Sequence, residues 1–260
     1  MINFKCEFDS RILNTRVPVE VYLPYEVNLM KDVKDYKENF TFQPFKTVYL
    51  LHGAWDGGSQ WVENTSALRL AQKAGFALVI PSVGNSFYAN GKDGMRWEDF
   101  ILEELMGFVR GIFPLSDKKE DNYVCGVSMG GYGALKAVFK RPEIFSKCAI
   151  MSPVVDIAWS SRVIRKIGVN TDQTLGKWKE QKGSEYDLVK ILEDAEGTFD
   201  QFADILVLIG NLDYMVENNR SFHNYLEEKK VAHTYVEYEG MHDWQFWDEH
   251  LKECMDFFAE

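Results

Sequence analysis

Ser128 stands in Gly126-Val127-Ser128-Met129-Gly130-Gly131, a serine flanked by small residues at the spacing G-x-S-x-G. The string follows the apolar run Tyr123-Val124-Cys125-Gly126-Val127 and opens a stretch, Gly130 to Lys140, that reads as a helix closed by Pro142. A serine on such a sharp strand-to-helix turn has its hydroxyl pushed out at the carboxyl end of a sheet, beside the positive end of a helix dipole. That setting suits attack on an acyl carbon, provided a base takes the hydroxyl proton. Of the five histidines, His52 ends an apolar run, His223 and His250 fall inside predicted helices, and His233 precedes the last predicted strand. His242 alone lies in a loop, Glu239-Gly240-Met241-His242-Asp243, between the last strand and the last helix. Loops at the carboxyl ends of strands are where ligand-facing groups converge in open α/β sheets. An acid to orient that imidazole is expected after an earlier strand, and Gly210-Asn211-Leu212-Asp213 follows Ile205 to Ile209 directly. Glu217 competes, but it begins the next helix and should point away.

Acyl transfer develops negative charge on the carbonyl oxygen, which needs donors already in place. One is expected from the amide of Met129, at the helix start. The other is expected from His52-Gly53-Ala54-Trp55-Asp56-Gly57-Gly58, whose glycines let the Ala54 amide turn toward the site. This loop lacks the G-x-x-x-x-G-K-[ST] spacing of a phosphate-binding loop. Trp55, Phe87, Tyr88, Trp97 and Tyr214 all fall on loops or element ends near the same edge. They are candidates to contact substrate, since aromatic faces stack on sugar rings or a phenolic acyl group, and equally candidates to pack the walls.

These residues need a scaffold that delivers them to one edge. Ile2, Phe4, Cys6 and Phe8 alternate with polar residues, as do Val17, Val19, Val21 and Leu23, predicting an antiparallel pair of half-buried strands. Pro24 to Pro44 is mixed and aperiodic, an excursion. Thereafter short runs apolar on both faces (47–51, 77–80, 123–127, 148–151, 205–209 and 234–238) alternate with helical patterns. One such pattern, Trp97 to Ile112, sets Phe100, Ile101, Leu105, Phe108, Val109 and Ile112 on one face. Strands of this kind belong to a mostly parallel sheet covered on both faces. The prediction is an α/β-hydrolase fold of about eight strands, with the chain order Ser128, Asp213, His242 that this fold uses. Residues 1–260 read as one domain, interrupted by a cap-like insertion over 154–200 with helix-like stretches near Ser161 to Ile167 and Asp187 to Glu193.

The bulk numbers bound the partners. Forty acidic against 29 basic residues give a net charge of −11, which repels phosphate backbones and anionic lipid heads, so neither nucleic acid nor membrane is an expected partner. No stretch approaches 18 consecutive apolar residues. Met1 to Lys5 lacks the apolar run of a signal peptide, which points to a cytoplasmic address, although a mature secreted chain would share the pattern. Cys6, Cys125, Cys148 and Cys254 sit among apolar neighbours with neither a disulfide framework nor zinc spacing, so they read as buried thiols and no metal is expected.

Leu51-His52-Gly53, Ser86-Phe87-Tyr88, Gly126 to Ala134 and Gly240-Met241-His242-Asp243-Trp244 resemble the esterase D group, most closely the tributyrin-esterase-like enzymes. These are relatives of S-formylglutathione hydrolase and of bacterial feruloyl and acetyl esterases. The resemblance covers most of the chain and is weakest over Pro24 to Pro44 and Val154 to Asp200. It implies a serine carboxylesterase of short-chain or aromatic acyl esters, sugar esters among them, acting without a cofactor through Ser128, Asp213 and His242. Formylglutathione hydrolases carry a cysteine-containing loop where this chain has Gly53-Ala54-Trp55-Asp56, which argues against a glutathione thioester. The alternatives are acyl transfer to an alcohol, as in the related mycolyltransferases, a formylglutathione-hydrolase-like thioesterase, and a binding protein that has kept the fold without the chemistry. The expected partner is a small-molecule ester, and the chain could act alone or as a homo-oligomer.

Overall fold

A computed structural model describes residues 1–25 and 44–260. All but the ends of the Pro24 to Pro44 excursion therefore lies outside the described residues. Among these residues eight strands form one sheet in the order β1-β2-β4-β3-β5-β6-β7-β8. The strands are β1 (Ile2–Ser10), β2 (Thr15–Leu23), β3 (Thr47–Leu51), β4 (Ala77–Pro81), β5 (Asn122–Val127), β6 (Lys147–Met151), β7 (Asp204–Gly210) and β8 (Thr234–Tyr238). β1 and β2 pair antiparallel, and β2 joins β4 antiparallel. From β3 to β8 every pairing is parallel.

Side-chain alternation explains why both faces are covered. Tyr49 and Leu51 of β3 point into one apolar cluster, whereas Val48 and Leu50 point into the other. Helices α1 (Gln60–Asn64), α2 (Ala67–Ala74) and the C-terminal α10 (Trp244–Ala259) close the second face. The first face is closed by α3 (97–112), α4 (Met129–Lys140) and α9 (Val216–Lys229).

The stretch 97–112 departs from the single α-helix that its periodicity predicts. Phe100–Leu105 forms a π turn between the α-helical Trp97–Asp99 and Met106–Ile112. A π turn carries an extra residue, so the apolar stripe slips in phase. Leu102 and Met106 are buried with Phe100, Ile101, Leu105 and Val109, Phe108 is half-buried, and Ile112, expected on the buried face, is 60 % exposed.

Between β6 and β7 the chain folds as α5 (Ile157–Ile164), α6 (Asp172–Leu175), α7 (Trp178–Gln181) and α8 (Leu188–Asp194). The helix expected near Ser161 to Ile167 starts earlier, because Asp156 accepts the Trp159 amide and caps it. Asp187 caps α8 in the same way. Val155, Ile157, Leu175, Leu188, Ile191 and Leu192 join the first core cluster, so apolar contact holds this segment onto the body. All four cysteines are free; Cys125, Cys148 and Cys254 are buried and Cys6 is half-buried.

Candidate active site

The register aligns the carboxyl ends of the central strands. Leu51 of β3 is opposite Gly126 of β5, Val127 opposite Met151 of β6, and Met151 opposite Leu208 of β7. Ser128 follows β5 with φ 54° and ψ −115°, a left-handed backbone that a side-chain-bearing residue rarely adopts. The turn holds because its neighbours lack side chains. A Cβ on Gly126 would stand 2.3 Å from the Gly130 carbonyl oxygen, and one on Gly130 would stand 2.1 Å from that of Leu51. The Ser128 amide donates to Met151 O at 3.1 Å, and its carbonyl accepts the Val154 amide at 3.1 Å, which pins the turn to the β6 loop.

The loops after β7 and β8 are tied together. The amides of Asn211 and Leu212 donate to Tyr238 O and Gly240 O at 2.7 and 3.0 Å. Asp243 caps α10 by accepting the Phe246 amide at 2.9 Å, which fixes the chain immediately after His242. The result is a line of hydrogen bonds. His242 Nδ1 is 2.8 Å from Asp213 Oδ2, and His242 Nε2 is 3.0 Å from Ser128 Oγ. A carboxylate only accepts, so Nδ1 carries the hydrogen and Nε2 is left to accept from the serine hydroxyl. The Asp213 side chain is fully buried, and its other oxygen accepts the Met215 amide at 2.8 Å. Glu217, the competing acid, is exposed and paired with Arg220.

His52 builds the neighbouring loop. Its buried ring donates from Nδ1 to Gly53 O at 2.8 Å and accepts the Val83 amide at Nε2 at 3.0 Å. Burial lowers its pKa, which keeps it neutral for both bonds. Gly53 lies beside the serine, where an added Cβ would be 3.6 Å from Ser128 Cβ. Among the described residues neither the Ala54 nor the Met129 amide is spent on another acceptor, whereas the Trp55 amide is bound to Asn85 Oδ1 at 2.8 Å.

A cavity of about 450 Å³ opens over Ser128 and His242. Gly53, Ala54, Trp55, Asp56, Phe87 and Met129 line it, together with Val154, Ser160, Val163, Ile164 and Val169 from the segment after β6. Tyr214 and Trp247 flank the imidazole, with ring centroids 4.7 and 5.1 Å from it. Of the five aromatic candidates, Trp55, Phe87 and Tyr214 thus meet at the cavity. Tyr88 and Trp97 do not line it. Tyr88 is buried, donates its hydroxyl to His52 O at 3.0 Å and lies against Gly133, so it shapes the loop from beneath. Trp97 packs edge-on against Phe100 at 5.8 Å, on the core side of the π turn.

Trp247, Asp56 and the wall from the insertion also belong to the cavity, although no motif marks them. Trp247 had a signal, because it lies one turn into the helix that starts just after His242. Val163, Ile164 and Val169 had none, since the insertion has no strand register to place them. Among the described residues Asp56 is the one carboxyl that lines the cavity. Burial holds its pKa above the usual carboxylate value, and among the described residues no cation or hydrogen bond offsets that loss of water.

The Esterase family model matches residues 10–258. An acetyl esterase from Caldicellulosiruptor saccharolyticus is 26 % identical over 274 residues, covering 100 % of this chain and 99 % of the relative. Among solved structures, the fluorophosphonate-binding serine hydrolase FphF of Staphylococcus aureus superposes with a TM-score of 0.88 at 27 % identity, covering 100 % of this chain and 98 % of its own. An S-formylglutathione hydrolase, FrmB, also from Staphylococcus aureus, gives 0.86 at 28 %, covering 100 % and 99 %.

Proposed function

Because this chain belongs to the Esterase family, we propose that its serine carboxylesterase activity runs through Ser128 as nucleophile, His242 as general base and Asp213 as the orienting acid. The observation that carries this is the continuous line from Asp213 Oδ2 through His242 to Ser128 Oγ, at 2.8 and 3.0 Å. In it, Ser128 Oγ attacks the ester carbonyl while its proton passes to His242 Nε2. Asp213 stabilises the imidazolium without taking its proton. The carbonyl oxygen, now negative, turns toward the Ala54 and Met129 amides. His242 returns the proton to the departing alcohol, leaving an acyl group on Ser128. Water, deprotonated by the same imidazole, then releases the acid and restores the serine.

The walls favour a compact, uncharged acyl group. Phe87, Val154, Val163, Ile164 and Val169 offer apolar contact within about 450 Å³, suited to a short-chain or aromatic acyl group. Asp56 adds negative charge beside the reacting atoms once ionised, which disfavours anionic substrates such as glutathione thioesters and suits neutral alcohols, sugars among them. In this reading the insertion is the cap of a single domain, over a site for small-molecule esters free in the cytoplasm. Among the described residues no helix is long and apolar enough to cross a membrane.

The test is a set of specificity constants for acetyl, butyryl, octanoyl and palmitoyl esters, a feruloyl sugar and an S-acylglutathione. The reading expects short or aromatic neutral esters to lead by at least about tenfold. S-acylglutathione leading the series would make the chain a thioesterase instead.

A further inference from the structure

The end of β8 opposite His242 carries a second cluster of chemically able side chains that ester hydrolysis does not use. His223 and Glu227 lie one turn apart on α9 and share a face, and the turn that follows brings His233 back just before Thr234, where β8 starts. His223 Nδ1 and His233 Nε2 are 2.7 Å apart, and a Glu227 oxygen is 3.9 Å from the same His233 nitrogen. All three ligand atoms fall within 4.8 Å of one another, the one such group among the described residues.

The hydrogen bonds decide what these nitrogens can do. His233 Nδ1 is 2.8 Å from Val231 O. A carbonyl only accepts, so Nδ1 carries the hydrogen and Nε2 of the neutral ring keeps its lone pair. That lone pair faces His223 Nδ1 at 2.7 Å, so His223 either donates an Nδ1–H to it or, in its other neutral tautomer, turns a second lone pair toward the same point. In the second tautomer both nitrogens can serve as ligands to one metal ion. The Nδ1–H to carbonyl bond of His233 is then the outer contact that fixes a metal-binding imidazole. Both rings are already held: His223 stacks on Tyr235 at 4.7 Å and 10°, and the His233 side chain is 1 % exposed. Glu227 is 64 % exposed, so it can swing inward.

We propose that His223, Glu227 and His233 bind one divalent transition-metal ion of the zinc, cobalt and nickel class, clipping the end of α9 to the start of β8. Two imidazoles and a carboxylate suit that class, whereas magnesium and calcium favour all-oxygen sets. With metal–ligand bonds near about 2.1 Å at a tetrahedral angle, the facing nitrogens must part by roughly 0.7 Å. The fourth position opens to water on the side of Glu227. Because the ligands converge only when α9 and β8 are folded, the ion stabilises the fold and leaves ester hydrolysis unchanged.

The test uses the purified chain, stripped with a chelator and titrated with zinc chloride by calorimetry and with cobalt chloride by visible absorption. One ion per chain is expected, with a Tm rise on the order of 5 °C at zinc about a hundredfold above Kd. His223→Ala should abolish binding, and Glu227→Ala, a change at an exposed side chain, should weaken it at least about tenfold while both variants hydrolyse ester normally. Absence of saturable binding up to about 100 µM zinc, or binding retained in His223→Ala, would overturn the proposal and leave a histidine pair sharing a proton.

Discussion

A serine hydroxyl attacks an ester only when its proton has a destination and the new oxyanion has donors waiting; in the proposed reaction the line from Ser128 through His242 to Asp213 supplies the first and the Ala54 and Met129 amides the second. The convergence of Ser128, Asp213 and His242 was legible because each falls on a loop that follows a strand, where loop position and chain order are both informative. Asp56 was not legible as a cavity residue, because its significance rests on burial without a partner, which no spacing encodes. It yields a paired prediction. Asp56→Asn should raise kcat/KM for an anionic ester or S-acylglutathione by about tenfold and change acetyl ester hydrolysis little. It should also raise Tm near neutrality. The sign follows from burial, which lifts the folded-state pKa above the unfolded value. In strong acid both states are protonated and Asp56 costs nothing. As pH rises the unfolded chain ionises first, so the native carboxyl loses stability through that window and the penalty is complete above its folded pKa. The Tm gain of the variant should therefore appear at about pH 7 and vanish toward about pH 3. A gain that persists in acid would show that the carboxyl is not the cause.

At the scale of elements, the site depends on how closely strand and helix approach around Ser128. A methyl group on Gly130 would meet the Leu51 carbonyl at 2.1 Å, so Gly130→Ala should destabilise by roughly 3 kcal/mol or more in urea unfolding. Gly107, within α3, has nothing within 4 Å of an added Cβ, and Gly107→Ala should instead gain about 0.5–1 kcal/mol. The π turn in α3 was hidden from the sequence because periodicity averages over a helix and cannot register one extra residue. Just before that turn Glu98 is paired with Lys136 of α4 at 2.9 Å, and Lys140 is its second partner. Burial alone would raise the Glu98 carboxyl, but the two ammonium groups outweigh it and hold it below the usual value. Its contribution is thus present above the unfolded carboxylate pKa and lost as pH falls through the folded one. Glu98→Gln should cost about 3–5 kcal/mol in urea unfolding, because it strands a buried lysine, and replacing both residues with apolar ones of similar volume should recover most of that. No recovery in the double variant would mean that the pair does more than satisfy itself.

Seen whole, the molecule is one sheet with an apolar layer on each face and an insertion that walls the cavity. The layers were legible because strands apolar on both faces admit no other arrangement. The insertion was legible only in part: the helix near Asp187 to Glu193 and the end of α5 left a pattern, whereas the single-turn α6 and α7 left none. It carries Lys177, Lys179, Glu180 and Lys182 beside Trp178 in the chain, with Arg162 and Lys179 over the Trp178 ring, and a net charge of −11 repels anionic lipid. Hydrolysis of a short-chain ester should therefore show no jump in rate as the substrate passes its solubility limit, and anionic vesicles should not co-sediment the protein. A sharp rise at the emulsion threshold would identify the insertion as a lid that opens on lipid.

Labelling with a fluorophosphonate tests the central claim most directly, since the probe forms a bond only with a serine whose proton is being withdrawn. Intact mass followed by peptide mapping should show a single adduct per chain on the peptide bearing Ser128, none in Ser128→Ala, and labelling slowed by at least about a hundredfold in His242→Ala. Alongside this, Ser128→Ala should lose ester hydrolysis by at least about three orders of magnitude. An adduct on another residue, or a folded Ser128→Ala protein that still hydrolyses ester at the original rate, would contradict the account.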